Sequence, residues 1–366
     1  MSSRRQLHEL HRLATHANLV VQETPMSAAV ARLLTARIRC NALKRSPATR
    51  AGIMVNGGGY QGKTETVCET AATFEDQWLQ LHDQLNPGTV DGTRDVHAPV
   101  AYVQTPVTAT PKSTCAAILD FYGAPHRNMT LPQLVRTVKV SLHEHGTKVL
   151  ILDDITRLKM HREADQDVLD LIRSLMSMSV TLVLVGVGIP QSGLRGSTRR
   201  PGGAAGEAVH GDGDAAATQT RRRFDLIELG SFRYDTATGI TAWVAHLAGV
   251  EDQLRLLNAA PGMLIGGTMP EYLFRRTGGI VGLLERLVED ACVEAIAAGT
   301  ERLTGSLLDQ IAIDLDDLPV RDPSAGEVPA VPASGSAAPR RKGRNTVFDD
   351  RGPAPPAAGK GRPGAS

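Results

Sequence analysis

The sequence predicts an α/β fold, in which a doubly wound parallel sheet of five strands is followed by a small C-terminal helical lid. Three observations lead to this prediction. Short, almost wholly aliphatic segments alternate with helical stretches, as is typical of strands buried on both faces of a parallel sheet. A glycine cluster ending in Lys-Thr follows the first of these segments directly. After about residue 245 only helical patterns remain.

The elements follow from these patterns in chain order. The expected strands are Gly52–Asn56, Pro99–Thr105, Lys148–Asp153, Val180–Gly186 and Phe224–Leu229. The expected helices of the sheet domain are Glu65–Leu81, Thr114–Tyr122, Leu131–His145 and Ala164–Ser177. In the helical part we expect Leu254–Asn258, Pro270–Arg276 and Gly279–Ala298. The last of these carries a continuous apolar face.

Composition suggests where the chain divides. Residues 193–223 hold seven glycines and six arginines without apolar periodicity, which indicates a flexible insertion. The last 48 residues contain nine prolines and almost no large apolar side chains, which indicates a disordered Pro/Ala/Gly-rich basic tail. We therefore expect a basic N-terminal arm (1–24), an α/β domain (25–245), a helical lid (246–318) and the tail (319–366).

The net charge of +1 hides an uneven distribution. Residues 1–50 carry a net charge of +7 and residues 319–366 a net charge of +4, so the rest of the chain carries −10. Basic ends on an acidic middle suit a protein whose ends contact a polyanion such as DNA, without sequence preference. Tails that only keep the chain in solution explain the same charges equally well.

Several classes of protein are excluded or disfavoured. No apolar run is long enough to cross a bilayer, and the first residues lack the pattern of a secretory signal. The four cysteines are too scattered for a disulfide scaffold or a paired zinc site. His143 and His145 stand at i and i+2, which do not share a helix face, so we interpret them as surface residues. We expect a cytoplasmic protein without membrane contact.

The most specific motif is Gly57-Gly58-Gly59-Tyr60-Gln61-Gly62-Lys63-Thr64, which fits G-x-x-x-x-G-K-[ST] between a predicted strand and a predicted helix. Its glycines let backbone N–H groups turn toward a phosphate, and the following helix directs its positive end at the same anion. Lys63 is expected to reach the β- and γ-phosphates of ATP, and the Thr64 hydroxyl to bind Mg²⁺. With Glu65 in the first helical turn, residues 57–65 form the predicted nucleotide-binding set.

A second motif supports the first. Val149-Leu-Ile-Leu-Asp153-Asp154 is an aliphatic strand that ends in paired acids, as in a Walker B element. Asp153 is expected to hold Mg²⁺ through water, and Asp154 to orient or deprotonate the attacking water as a catalytic residue. The second acid is usually Glu, so the shorter Asp predicts slow hydrolysis or none.

These segments together resemble the AAA+ ATPases of the TniB type over roughly residues 25–300. The strand Val100-Ala-Tyr-Val-Gln-Thr-Pro106 is the part most particular to that group, and Val183–Gly188 and Arg276–Ile280 fit as well. TniB-type proteins are regulatory partners of DDE transposases in Tn7-like and Mu-like elements. The resemblance implies a P-loop NTPase of the AAA+ class with nucleotide between sheet domain and lid, self-assembly on DNA, and a transposase or integrase partner.

The sequence departs from the AAA+ pattern at two sensor positions. Gly186-Val187-Gly188 offers no polar side chain where Asn or Thr is common, and Gly278–Gly282 lacks the arginine that often begins the lid helix. Arg275 and Arg276 either substitute for that arginine or are solvated charges at a helix end. Arg221, Arg222 and Arg223, before the fifth strand, are either catalytic arginine fingers for a neighbouring subunit or charges that solvate a loop or contact DNA.

The leading hypothesis from the sequence is an Mg·ATP-dependent AAA+ ATPase that oligomerises on DNA and regulates a transposase. Other AAA+ roles, such as a helicase loader or a STAND-type signalling NTPase, remain alternatives, as does a nucleotide-dependent DNA-binding scaffold without turnover.

Overall fold

Five parallel strands form one sheet in the order β2-β3-β4-β1-β5. They are β1 (Gly52–Asn56), β2 (Val100–Gln104), β3 (Val149–Asp153), β4 (Thr181–Gly186) and β5 (Phe224–Glu228). Every neighbouring pair is parallel, so all five carboxyl ends lie at one edge of the sheet. The predicted α/β class and the five predicted strands are confirmed.

The computed structural model describes residues 3–20, 22–45, 49–86, 96–107, 109–158, 165–192 and 222–313. The expected tail and most of the expected insertion, including Arg221, lie outside the described residues. Within the described ranges no helix is long and apolar enough to cross a membrane.

The helices are regular, and several begin at polar caps. They are α1 (Ser3–His16), α2 (Pro25–Ala42), α3 (Lys63–Leu85), α4 (Pro111–Phe121), α5 (Leu131–Glu144), α6 (Asp165–Met176), α7 (Ala237–Gln253), α8 (Met269–Thr277), α9 (Val281–Ala297) and α10 (Gly305–Leu308). Thr24 and Thr110 each accept a backbone hydrogen bond and precede a proline, so a capping box fixes where α2 and α4 start.

The sheet is covered on both faces because alternate residues of each strand point to opposite sides. In β3, Leu150 and Leu152 belong to a core with the helices α4, α5 and α6. Val149 and Ile151 belong to a second core with α2 and α3. This two-sided burial explains why the interiors of the central strands β1, β3 and β4 are wholly apolar.

A third core holds the helical lid together. It draws on residues from Phe232 onward and includes the buried Trp243, whose indole N–H donates to the Pro270 carbonyl at 2.9 Å. Trp243 is thus a packing residue. Trp243, Leu247 and Val250 of α7 all belong to this core, and the expected domain boundary at 245/246 falls within that helix.

The prediction of a short helix at Leu254–Asn258 is wrong, because these residues are not helical in the structure. The backbone N–H groups of this segment are bonded elsewhere: that of Arg255 donates to the His16 ring at 2.9 Å, and that of Asn258 to the Glu301 carbonyl at 3.0 Å. Leu254 ends α7 in an extended conformation. Competing tertiary hydrogen bonds therefore override the local pattern.

The segment expected as a basic arm contains α1, which contacts α9 of the lid. Arg12 donates to both carboxylate oxygens of Glu301, at 2.6 and 2.9 Å, and only 8% of the residue is exposed. The Arg12 guanidinium holds the pKa of the Glu301 carboxyl below its usual range. Arg12 is therefore part of the lid structure and is not a free surface charge.

Candidate nucleotide-binding site

The loop between β1 and α3 contains the predicted phosphate-binding residues Gly57–Thr64. The Gly58 N–H donates to the Gln61 side chain at 2.5 Å, which closes the loop on itself. The N–H groups of Gly59, Tyr60 and Gly62 meet no acceptor among the described residues. Gly62 has a φ of 77°, a conformation that glycine adopts without strain. Unpaired N–H groups at a helix start fit an anion such as a phosphate.

The Lys63 ammonium lies inside this loop and donates to the Gly58 carbonyl at 2.5 Å. Burial lowers the pKa of Lys63, and the nearby carboxylates of Asp153 and Asp154 oppose that change. A half-buried cation beside unpaired N–H groups provides the charge that a phosphate chain requires.

Thr64 and Asp153 meet across the carboxyl edge of the sheet. The Thr64 hydroxyl donates to Asp153 Oδ2 at 2.6 Å, and the Asp154 N–H donates to Asp153 Oδ1 at 2.7 Å. Asp153 is 5% exposed. A hydroxyl and a carboxylate at this distance fit Mg²⁺, which prefers oxygen ligands and usually keeps several waters. The described residues contain no separate cluster of three or more His, Cys, Asp or Glu side chains that could hold a metal.

Asp154 is half-buried and held on two sides. Its carboxylate pairs with Arg157 at 2.9 Å and accepts from Gln104 at 3.3 Å. Arg157 is anchored in turn by its bond to the Thr105 carbonyl at 3.2 Å. The residue expected to act on water is therefore ion-paired in this structure.

The end of β4 lacks a polar side chain, as the sequence indicates. Val187, directly after β4, is 49% exposed and apolar. A polar side chain that does contact the loop after β4 is that of Asn56 at the end of β1. The Asn56 amide donates to Glu228 at 2.7 Å and accepts the Ile189 N–H at 2.9 Å. Asn56 thus joins the ends of β1 and β5 to the loop that follows β4.

The lid touches the phosphate-binding loop directly. The Gly282 N–H at the start of α9 donates to the Tyr60 carbonyl at 2.9 Å. Tyr60 has a φ of 59°, which is uncommon for a residue other than glycine, and its ring is exposed. Burial raises the pKa of the Glu285 carboxyl in α9, and the carboxylates of Glu289 and then Glu65 raise it further. Glu65 itself lies in the first turn of α3 and is exposed.

Arg275 and Arg276 are occupied within the lid. Arg275 pairs with Glu271, one helical turn away. Arg276 donates to the carbonyls of Leu308 and Ile311, at 3.2 and 2.7 Å. These contacts fix the end of α8 and agree with the interpretation as helix-end charges.

The structure does not bring Arg222 and Arg223 to the phosphate-binding loop of the same chain. Both are exposed and precede β5, whose first residue, Phe224, pairs with Gly52 at the start of β1. The loop follows the carboxyl end of β1. The arginines therefore lie at the amino ends of the strands, roughly 13 Å from the loop along β1. At that distance they do not contact the phosphate-binding loop of their own chain.

Three residues near the paired acids have no predicted site role in the sequence analysis. Tyr102 donates to Asp153 Oδ2 at 2.9 Å, and Gln104 and Arg157 contact Asp154. Burial and the bond to Asp153 both raise the pKa of the Tyr102 hydroxyl. The available sequence signal was that Tyr102 and Gln104 are polar residues two positions apart near the end of the apolar strand β2. Which residues they contact depends on the register of β2 against β3.

Comparison with known proteins agrees with this geometry. Residues 50–191 match the family model of an AAA domain. Cdc6p from Pyrobaculum aerophilum is similar in structure, with a TM-score of 0.52, 14% identity, and coverage of 79% of this chain and 67% of that one. The ORC2 protein of Aeropyrum pernix, solved in ADPNP–ADP complexes, has a TM-score of 0.49, 12% identity, and coverage of 81% and 70%.

Domain III of the replication initiation protein DnaA from Thermotoga maritima has a TM-score of 0.44 and 10% identity, with coverage of 80% of this chain and 92% of that one. No curated protein matches the sequence. The family match and the likeness to Cdc6p establish the α/β P-loop NTPase fold of the AAA+ type. The TniB-type identity is a finer statement and remains a proposal.

Proposed function

We propose that this chain, which contains a P-loop AAA+ domain, binds Mg·ATP, hydrolyses it slowly, assembles on DNA and regulates a DDE transposase or integrase. The observation that carries the nucleotide part is the 2.6 Å contact between Thr64 and Asp153, beside a loop of unpaired N–H groups. The transposase part rests on the resemblance to TniB-type proteins, with the Tyr-Val-Gln-Thr-Pro strand as its most particular feature.

The proposed roles follow from these contacts. The N–H groups of the loop and the Lys63 ammonium bind the phosphates, and Thr64 and Asp153 hold the metal. Mg²⁺, when bound, neutralises charge on the phosphate oxygens. Gly282 of the lid lies against the same loop, so the lid covers one side of the bound nucleotide.

Slow hydrolysis is supported by the state of the catalytic acid. Asp154 must orient water, yet its carboxylate is paired with Arg157 and Gln104. Asp is also one methylene shorter than the usual Glu, and Val187 supplies no polar group. A site of this kind binds nucleotide more readily than it turns it over.

Assembly is supported by the position of Arg222 and Arg223. They lie at the amino ends of the strands, whereas their own phosphate-binding loop lies at the carboxyl ends. We therefore infer that they complete the site of a neighbouring subunit. An arginine finger is typically worth about 10³–10⁵ in rate. ATP hydrolysis would then depend on subunit contact.

DNA contact would involve the cations of the N-terminal region that the structure leaves accessible. Arg12 is held by Glu301, Arg37 pairs with Asp225, and Arg39 donates to Gln77. The exposed cations among the described residues of this region are Arg4, Arg32, Arg39, Lys44 and Arg45. Of these, Lys44 also donates to the Asn41 side chain at 3.2 Å. Binding through such residues should weaken steeply with salt, with a slope of about 0.9 per phosphate neutralised.

A phosphate-release assay with and without duplex DNA tests the proposed function. We expect slow Mg²⁺-dependent release that DNA accelerates. Asp154→Asn should abolish release while ATP binding persists, and Asp170→Asn, at a surface acid that pairs with Arg173, should leave release unchanged. Binding without release in the unaltered chain would instead support the scaffold without turnover.

A mixing experiment tests the finger. The triple variant Arg221→Ala, Arg222→Ala, Arg223→Ala and the variant Lys63→Ala should each be inactive. Their mixture should regain partial ATPase activity, because an intact loop meets an intact finger at one interface. Normal hydrolysis by the triple variant alone would rule these arginines out.

A further inference from the structure

The carboxylate of Asp153 receives hydrogen bonds from three separate places. Thr64 of α3 and Tyr102 of β2 both donate to Oδ2, at 2.6 and 2.9 Å, and the Asp154 N–H donates to Oδ1 at 2.7 Å. Because Asp153 is 5% exposed, protein groups and not bulk water satisfy most of its acceptor capacity. The orientation of this carboxylate is therefore set by its neighbours.

Tyr102 is well placed to set that orientation. Its ring is partly buried against the core beneath α2 and α3, so the phenol has little freedom to move. Tyr102 pairs with Ile151 in the β2–β3 register, and its hydroxyl reaches two residues further along β3 to Asp153. A rigid aromatic ring with a polar tip supplies a donor at a fixed position.

The two hydroxyl donors differ in what they would do when a metal binds. Thr64 belongs to the phosphate-binding loop and is the proposed direct ligand, so its oxygen would turn toward the cation. Tyr102 lies outside the loop, and its described hydrogen bond is the one to Asp153. Of the two, Tyr102 is the donor that can hold the carboxylate in both the metal-free and the metal-bound state.

We propose that Tyr102 is a positioning residue for the metal site, whose hydroxyl keeps the Asp153 carboxylate turned toward Thr64. This inference rests on the proposed Mg·ATP site and assigns a role to the β2 side chain. The mechanism is that of other outer-shell donors, which orient a ligand without touching the metal and whose loss typically lowers metal affinity about 10–100-fold.

The test is Tyr102→Phe, which removes the hydroxyl and retains the ring. Binding of a fluorescent N-methylanthraniloyl-ATP is measured while Mg²⁺ is titrated, and again in excess EDTA. We expect the Mg²⁺ concentration for half-maximal enhancement of binding to rise about tenfold or more. Binding in EDTA should stay within about twofold, since the described hydrogen bond of the hydroxyl goes to the metal-binding acid and not to the phosphate-binding loop.

Tyr122→Phe is the matched control. Tyr122 is also partly buried, and its hydroxyl shares a 2.7 Å hydrogen bond with Thr147, away from the site. Its removal should leave the Mg²⁺ requirement unchanged. Urea denaturation of both variants establishes that each is folded at the temperature of the titration.

The outcomes separate this inference from the proposed function. An unchanged Mg²⁺ requirement in Tyr102→Phe, or equal weakening with Mg²⁺ and with EDTA, overturns the positioning role while the nucleotide site stands. Absence of nucleotide binding in the unaltered chain overturns the proposed function, and this inference with it. A rise in the Mg²⁺ requirement confined to Tyr102→Phe supports both.

Discussion

Replacement of Gly282 by alanine should disturb the contact between the lid and the phosphate-binding loop. A Cβ at this position would lie 2.9 Å from the Tyr60 carbonyl oxygen and 3.1 Å from the Tyr60 Cβ. Tyr60 already has a φ of 59°, so its backbone has little room to retreat. The start of α9 must therefore move away and lengthen the 2.9 Å hydrogen bond from the Gly282 N–H.

The expected cost can be worked from these contacts. Overpacking typically costs about 1–3 kcal/mol, and a lost hydrogen bond about 0.5–1.5 kcal/mol. Alanine within a helix returns about 0.5–1 kcal/mol relative to glycine. Together these terms predict that Gly282→Ala lowers the free energy of unfolding by about 0.5–4 kcal/mol, with a central value of about 2 kcal/mol. Hydrogen exchange in the first turn of α9 should become faster.

Urea denaturation and amide hydrogen exchange measure these effects, and Gly305→Ala is the matched control. Gly305 also lies in the first turn of a lid helix, but a Cβ there meets nothing within 4 Å. The control should be neutral or up to about 1 kcal/mol more stable. If Gly282→Ala gains stability like the control and exchange in α9 is unchanged, the proposed contact between lid and loop is refuted.

Two further predictions concern titratable and charged side chains that are removed from solvent, His246 and Arg12. His246 is 6% exposed, neither ring nitrogen has a hydrogen-bond partner among the described residues, and burial lowers its pKa from 6.5 to about 4. Because the unfolded chain takes up this proton first, the free energy of unfolding should fall by about 3 kcal/mol between about pH 6.5 and pH 4, and His246→Leu should flatten that profile in urea denaturation. Parallel profiles for both proteins would contradict this. Arg12→Met should cost about 1–3 kcal/mol because it leaves the half-buried Glu301 carboxylate without its charged partner, and the double variant with Glu301→Leu should recover most of the loss. Equal losses in the single and double variants, measured by denaturation, would show that the ion pair is not responsible.

Much of the fold could be predicted from the sequence because its strands are buried on both faces. The run Val149–Asp153 is wholly apolar until its final acid, and it begins and ends within one residue of the expectation. Helix α7 was missed, since its many Ala and Gly residues give little amphipathic contrast. The expected helix at Leu254–Asn258 failed because tertiary hydrogen bonds, which local patterns do not report, take up its N–H groups.

The main residues of the site could also be predicted from the sequence, but several of their contacts could not. Parallel strands bring their carboxyl ends to one edge, so the approach of Asp153 to Thr64 could be expected from the motifs alone. The contacts of Tyr102 and Gln104 with the paired acids could not, because they depend on the β2–β3 register and on side-chain reach. The ion pair between Asp154 and Arg157 likewise depends on the turn that follows β3.

The measurement that most directly tests the central claim is the affinity for ATP of the unaltered chain and of Lys63→Ala, determined by calorimetry with Mg²⁺ present. Lys112→Ala, at an exposed lysine at the start of α4, is the control for the loss of one positive charge. We predict that the unaltered chain and Lys112→Ala bind ATP alike, and that Lys63→Ala remains folded but binds no ATP. Undiminished ATP affinity in folded Lys63→Ala would contradict the assignment of Gly57–Thr64 as the phosphate-binding loop.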